Sequence, residues 1–132
     1  MGLDVSIKGL TRKQTYHGGY ITFNIYRKNI ASAYNERLGE LYKKTFKEDL
    51  TDEEIEEWHK LCNNDLDLFL WHSDCDGKFT PKECKKVYNI LKDFNIEMQG
   101  HNYVEMEFYN MHKLWLNMFK YCYKRRVNMY FY

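Results

Sequence analysis

The chain has 132 residues, 44% of them hydrophobic and 17% aromatic, with a formal net charge of +1. That length suits one domain, 1–132, with a single core, and one Pro with seven Gly argues against a disordered linker. A net charge this small excludes a global field that would draw the whole molecule to nucleic acid or to a membrane surface.

The opening "MGLDVSIKGL" has no long apolar run, so no secretory signal is expected, and no stretch is long enough to span a bilayer. Its Met-Gly-x-x-x-Ser start fits a myristoylation pattern, but one so short that it recurs by chance. Four Cys without a signal fit reduced thiols in a cytoplasm. "LDVSIKGL" alternates apolar and polar residues and predicts a short strand, followed by a turn or an entry to a helix at "HGG". From Tyr20 to Phe46 the residues Phe23, Tyr26, Ile30, Tyr34, Leu38 and Leu41 recur at helical spacing, with Gly39 as the weak point of that helix.

"TDEE" predicts a helix start, with Thr51 and Glu54 forming a capping box and Ile55, Trp58 and Cys62 facing the core. "DLDLFL" fits either a strand or an apolar helical turn. "PKECKKVYNILKDF" predicts a helix with Pro81 in its first turn and Val87, Leu91 and Phe94 on one side. After a turn near Gly100 comes the longest periodic stretch, Val104, Phe108, Met111, Trp115, Met118 and Cys122. Such a stripe is core far more often than a cofactor box. The tail "VNMYFY" alternates and can pair with the first strand. The fold class is therefore α+β, mainly helical, with a small β element.

Charge is unevenly spread. Residues 48–67 hold nine acids against one Lys, whereas from residue 108 onward there are five Lys or Arg and no acid. A solvated helix face explains such runs, and so does a surface that competes for a basic partner. On the second reading Glu53, Glu54, Glu56 and Glu57 are candidate partner-binding residues. Lys113, Lys120, Lys124, Arg125 and Arg126 are the corresponding candidates for a nucleic-acid module, against which the near-neutral total speaks.

"HSDCDGKFTPKE" carries the most specific chemistry. Counted from His72, it places Asp74, Asp76, Gly77, Lys78 and Glu83 at positions 3, 5, 6, 7 and 12, the spacing of an EF-hand-like metal loop. An imidazole at position 1 suits zinc better than calcium, so His72, Asp74, Asp76 and Glu83 are predicted zinc ligands, with calcium as the alternative. Rival thiol sets use His72, Cys75 and Cys84, or His59 and Cys62 with His72 and Cys75. The geometry of alternation favours the acids. A metal-free loop is the other account: Asp74 and Asp76 close Asx turns, Gly77 supplies a positive φ, and Thr80 with Glu83 caps the next helix. All four ligands lie in one short loop, so a structural metal is expected and no catalytic residue is assigned. His17, His101 and His112 read as surface or core-edge residues. A metal-dependent hydrolase or nuclease is the enzymatic alternative.

"HSDCDGKFTPKEC", with "GGYITFNIYRKNIA" upstream, resembles small proteins encoded by phages and prophages that carry an "HSDCDGxLTPEEC" signature. The matching positions are Tyr20, Phe23, Arg27 and His72 to Cys84, with Phe79 and Lys82 departing from the pattern. The resemblance covers about a quarter of the chain and implies a phage protein acting in the bacterial host cytoplasm. Some such proteins look like anti-CRISPR inhibitors, which implies contact with a host protein, the RNA-guided type II nuclease, and no enzymatic activity. That nuclease holds nucleic acid in a basic channel, which the α-helical acids from Glu48 to Glu57 would suit.

Overall fold

A computed structural model describes residues 2–94 and 103–132, the side chains of 103–108 excepted. The predicted turn at Gly100, His101, and the side chains of Val104 and Phe108 lie outside the described residues. The first strand, β1 (Gly2–Ile7), leads through a single 3₁₀ turn (Arg12–Gln14) to β2 (His17–Gly19). Five helices, α1 (Tyr20–Tyr34), α2 (Glu36–Lys44), α3 (Asp52–Leu61), α4 (Asn64–Leu70) and α5 (Pro81–Leu91), follow, with the two-residue strand β3 (Lys78–Phe79) before α5. The long α6 (Tyr103–Arg125) and β4 (Met129–Phe131) complete the chain.

The strands form one antiparallel sheet in the order β2-β1-β4-β3. The tail does pair with the first strand: Val5 faces Phe131, Ser6 faces Tyr130 and Ile7 faces Met129. Alternation then does the sorting. Leu3, Val5, Ile7, Phe79, Met129 and Phe131 are buried on the inner face, and the outer face is left to solvent.

The apolar run from Tyr20 to Phe46 is two helices, and the break is at Asn35 rather than Gly39. Asn35 is extended (φ −158°, ψ 127°), and its Oδ1 accepts from the Leu38 amide at 3.1 Å. It closes α1 and caps α2 at once, which few residues other than Asn, Asp, Ser or Thr manage. Gly39 has a different job: a Cβ there would collide with Ser32, so it lets α1 and α2 pack closely. "DLDLFL" is helical, because Asn63 Oδ1 caps α4 by accepting from the Asp65 amide at 2.8 Å. The capping boxes at Thr51/Glu54 and Thr80/Glu83 form as predicted.

Trp115 on α6 is the centre of the core. Its ring lies 5.0 Å from Phe23, 5.6 Å from Phe69, 5.6 Å from Tyr16 and 5.9 Å from Phe131, so α1, α4 and the sheet meet on one indole. The high aromatic content is spent here, each ring burying a large apolar area. His112, one turn before Trp115, is also buried, its Nδ1 2.8 Å from the Tyr26 hydroxyl, and burial depresses its pKa. On α3, Trp58 is buried as predicted, whereas Ile55 is exposed. Among the described residues no helix is long and apolar enough to cross a membrane.

Candidate loop and adjoining cleft

The loop after α4 is built by its own hydrogen bonds. Ser73 Oγ accepts from the amides of Cys75 (3.2 Å) and Asp76 (3.3 Å), so Ser73 closes the turn that Asp74 and Asp76 were expected to close. Gly77 takes φ +88°, a conformation that suits glycine. A Cβ there would stand 3.4 Å from His72 Cε1, an ordinary contact, so the positive φ rather than crowding calls for glycine. His72 stacks on Phe79 (4.1 Å between ring centres, 22° between planes) and meets Phe131 edge-on at 4.6 Å.

The predicted metal ligands do not converge. His72 Nδ1 is 2.9 Å from the Ser73 carbonyl and Nε2 is 3.0 Å from the Lys78 carbonyl. A carbonyl only accepts, so the ring nitrogen that carries the hydrogen is held as a donor and offers no lone pair to a metal there. The carbonyl of Lys78, expected to ligate, is thus turned to His72 instead. Asp74 Oδ2 accepts from Asn24 Nδ2 at 2.9 Å, and Glu83 Oε1 accepts from the Thr80 amide at 2.9 Å. Asp76 is exposed. Among the described residues, no three His, Cys, Asp or Glu side chains are grouped closely enough to hold a metal ion. The thiol alternatives fare no better. Cys75 is exposed, while Cys84 is buried and its pKa is pushed up by the Cys122 thiol and by burial. Cys62 is pushed up to about 12, chiefly by burial, and His59 is exposed. The zinc and calcium readings therefore rest on spacing, and hydrogen bonds within the loop contribute to its shape.

What anchors the loop is a residue that spacing alone did not single out. Arg27 of α1 is 5% exposed. Its Nη1 donates to the carbonyls of Phe69 (3.0 Å) and His72 (2.6 Å), and its Nη2 donates to Asn24 Oδ1 (2.6 Å). The guanidinium lies 4.4 Å above the Phe23 ring. Burial lowers its pKa, opposed by Tyr42 and Asp74. Tyr42 also donates to Asn24 Oδ1 at 3.0 Å, and burial raises its own pKa to about 12. A polar network thus runs from Arg27 and Tyr42 through Asn24 to Asp74. The helical spacing offers the missed signal: Arg27 falls four residues after Phe23 and three before Ile30, inside the apolar stripe.

This network floors an open cleft of about 730 Å³ between α1, the end of α2, Trp58 of α3 and residues 70–74. Its rim is apolar and exposed: Ile21 (77%), Ile25, Phe46 and Trp71 (52%). The ring of Trp71 leans on Trp58 at 5.1 Å.

The four candidate partner-binding acids of α3 divide into two pairs. Glu54 accepts from Lys44 Nζ at 2.7 Å, and Glu57 accepts from Arg37 Nε and Nη2 at 2.9 Å each. These two tie α3 to α2, and the Lys44 contact holds the Glu54 carboxyl down at about 2. Glu53 and Glu56 point to solvent, Glu56 with a long contact of 3.8 Å to Lys60. At the sheet edge, His17 Nδ1 is 2.6 Å from Asp4 Oδ1 and its Nε2 is 2.8 Å from Thr15 Oγ1, a cross-strand tie between β1 and β2. No family model matches the chain, and no curated protein or solved structure matches it.

Three outcomes are expected. Arg27→Met should lower the unfolding free energy by about 3 kcal/mol in urea titration, because buried carbonyls lose a charged donor. Prolonged dialysis against a chelator should leave the melting temperature unchanged where hydrogen bonds alone shape the loop; a fall restored by zinc or calcium would show a resident metal. Glu54 has a depressed folded pKa, so its stabilisation is complete above its ordinary value of 4.5 and disappears as pH falls through about 2. The melting-temperature gap between wild type and Glu54→Gln should close over that interval.

Proposed function

We propose that the protein works by docking onto a partner protein through the cleft between α1, α2 and the 70–74 segment. One observation carries this reading: four large apolar side chains, Ile21, Ile25, Phe46 and Trp71, stand exposed around a single concavity. Isolated exposed apolar residues need no explanation, but a rim of them around a polar floor is the build of an interface centre. The floor is rigid, since Arg27, Asn24, Tyr42 and Asp74 hold one another, and a rigid surface loses little entropy on binding.

The partner that the resemblance to phage proteins implies is the host's RNA-guided type II nuclease, with inhibition as the outcome. In this reading the α3 acids are a secondary contact carried by Glu53 and Glu56, because Glu54 and Glu57 are occupied by Lys44 and Arg37. Rim charges of that sort steer association more than they hold the complex.

The test is a reconstituted DNA-cleavage assay with purified nuclease and guide. The wild-type chain is expected to block cleavage. Ile21→Asp with Trp71→Ala, both at exposed positions, should weaken inhibition at least tenfold while the melting temperature holds. Glu53→Lys with Glu56→Lys should mainly slow association. Full inhibition by the cleft variant would remove this surface from the function, and absence of inhibition by wild type would remove this partner.

A further inference from the structure

The outer face of the sheet carries a second surface, of different chemistry from the cleft. β4 alternates buried Met129 and Phe131 with outward Tyr130 (48% exposed), and Tyr132 beyond it is 60% exposed. The register places Lys78 and Ser6 on either side of Tyr130, making a row across β3, β4 and β1. The next row sets Tyr132 beside Asp4, through reciprocal backbone hydrogen bonds of 2.9 Å, and Asp4 beside His17. Two residues along one strand separate the tyrosines by about 6.8 Å, enough for a planar group to stack on each. The Tyr130 hydroxyl accepts from Asn128 Nδ2 at 3.0 Å, which orients its ring.

Cations gather at this face although the chain as a whole is nearly neutral. Lys78 is exposed on β3, and Arg12 reaches Asp4 Oδ1 at 3.8 Å across the outer surface. Lys8, also exposed, follows β1 directly. The one acid among the outward strand residues, Asp4, is engaged by His17 at 2.6 Å as well as by Arg12. A global charge of +1 therefore hides a local surplus of positive charge beside two exposed rings.

We propose that this face binds single-stranded nucleic acid, its bases stacking on Tyr130 and Tyr132 and its phosphates on Lys78, Arg12 and Lys8. Stacking on aromatic platforms tolerates any base, and flanking cations track the backbone. Duplex DNA does not fit this chemistry, because its bases are already stacked and its edges lie in grooves that a flat sheet face does not enter. The surface is independent of the cleft, and neither proposal stands or falls with the other.

The test is fluorescence anisotropy of labelled twelve-nucleotide oligo(U) and oligo(dT), titrated with the full chain from 50 to 300 mM salt. Saturable binding is expected for both, with log affinity falling against log salt at a slope of about −2 for three phosphate contacts. Tyr130→Ala with Tyr132→Ala should weaken binding about tenfold and leave that slope in place. Lys78→Ala should reduce the slope by about 0.7, and Lys78→Glu should weaken binding further. Ile21→Asp should change nothing. Should the double tyrosine variant lose its melting transition, the two Lys78 variants decide the matter alone. Absence of binding at 50 mM salt, an equal affinity for a duplex of the same length, or full binding by the Tyr130/Tyr132 and Lys78 variants would each overturn the proposal. So would sedimentation showing a dimer that the Tyr130/Tyr132 variant abolishes, which would mean that a second copy covers this face.

Discussion

A buried guanidinium ties α1 to the end of α4 and to the loop that follows. Arg27 donates to two carbonyls at the end of α4, those of Phe69 and His72, and to Asn24 on its own helix. α4 has only seven residues, too few to be stable as a helix alone, and its last carbonyls would be costly to leave unpaired beside the core. Arg27 supplies their donors from a different element. The cost is the removal of a charge from water, offset by three hydrogen bonds and by the Phe23 ring beneath it. Without that exchange the chain leaving α4 has no fixed starting direction.

From that fixed start the loop delivers β3 to the sheet. Ser73 closes the turn, Gly77 reverses the chain, and its carbonyl accepts from the Phe131 amide at 2.9 Å. His72 fills the space between loop and sheet by stacking on Phe79 and touching Phe131, so an imidazole here does the work of a core aromatic with two polar edges. The same residues would be metal donors if they turned inward. Their hydrogen bonds to carbonyls and amides direct them elsewhere, and Phe79 and Phe131 reward His72 for staying flat against them.

Much of the fold was legible because its signals are local. The α6 stripe through Trp115, Met118 and Cys122, the two capping boxes, and the alternation of "VNMYFY" each follow from helix or strand geometry. Asn35 was hidden because the apolar period runs on across it, although its side chain can both end one helix and begin the next. α4 was ambiguous because seven residues give too few turns to separate a period of two from one of 3.6. The two segments that carry the phage-protein resemblance, Tyr20–Arg27 and His72–Cys84, lie far apart in sequence. Their contact through Arg27, Asn24 and Asp74 needs the tertiary structure to be seen, although a cation inside an apolar stripe was a visible hint. The loop spacing was legible as a pattern but not as chemistry, since one spacing serves a cation or a capped turn equally well.

The loop also explains why two surfaces of different character coexist on so small a chain. Within ten residues it gives Trp71 and Asp74 to the cleft and Lys78 to the outer sheet face, with Phe79 between them in the core. Strand alternation forces this division, because consecutive residues of β3 point to opposite sides of the sheet. A change at the buried or turn-forming residues of the loop therefore disturbs cleft, core and sheet face together, whereas the exposed side chains of Trp71 and Lys78 each belong to one surface. Ile21 on α1 and Tyr130 on β4 stand outside the loop, are each exposed, and each belong to one surface. Those positions separate the cleft from the sheet face because the rigid parts of the fold, α1 over Arg27 and β4 beside β1, hold them independently.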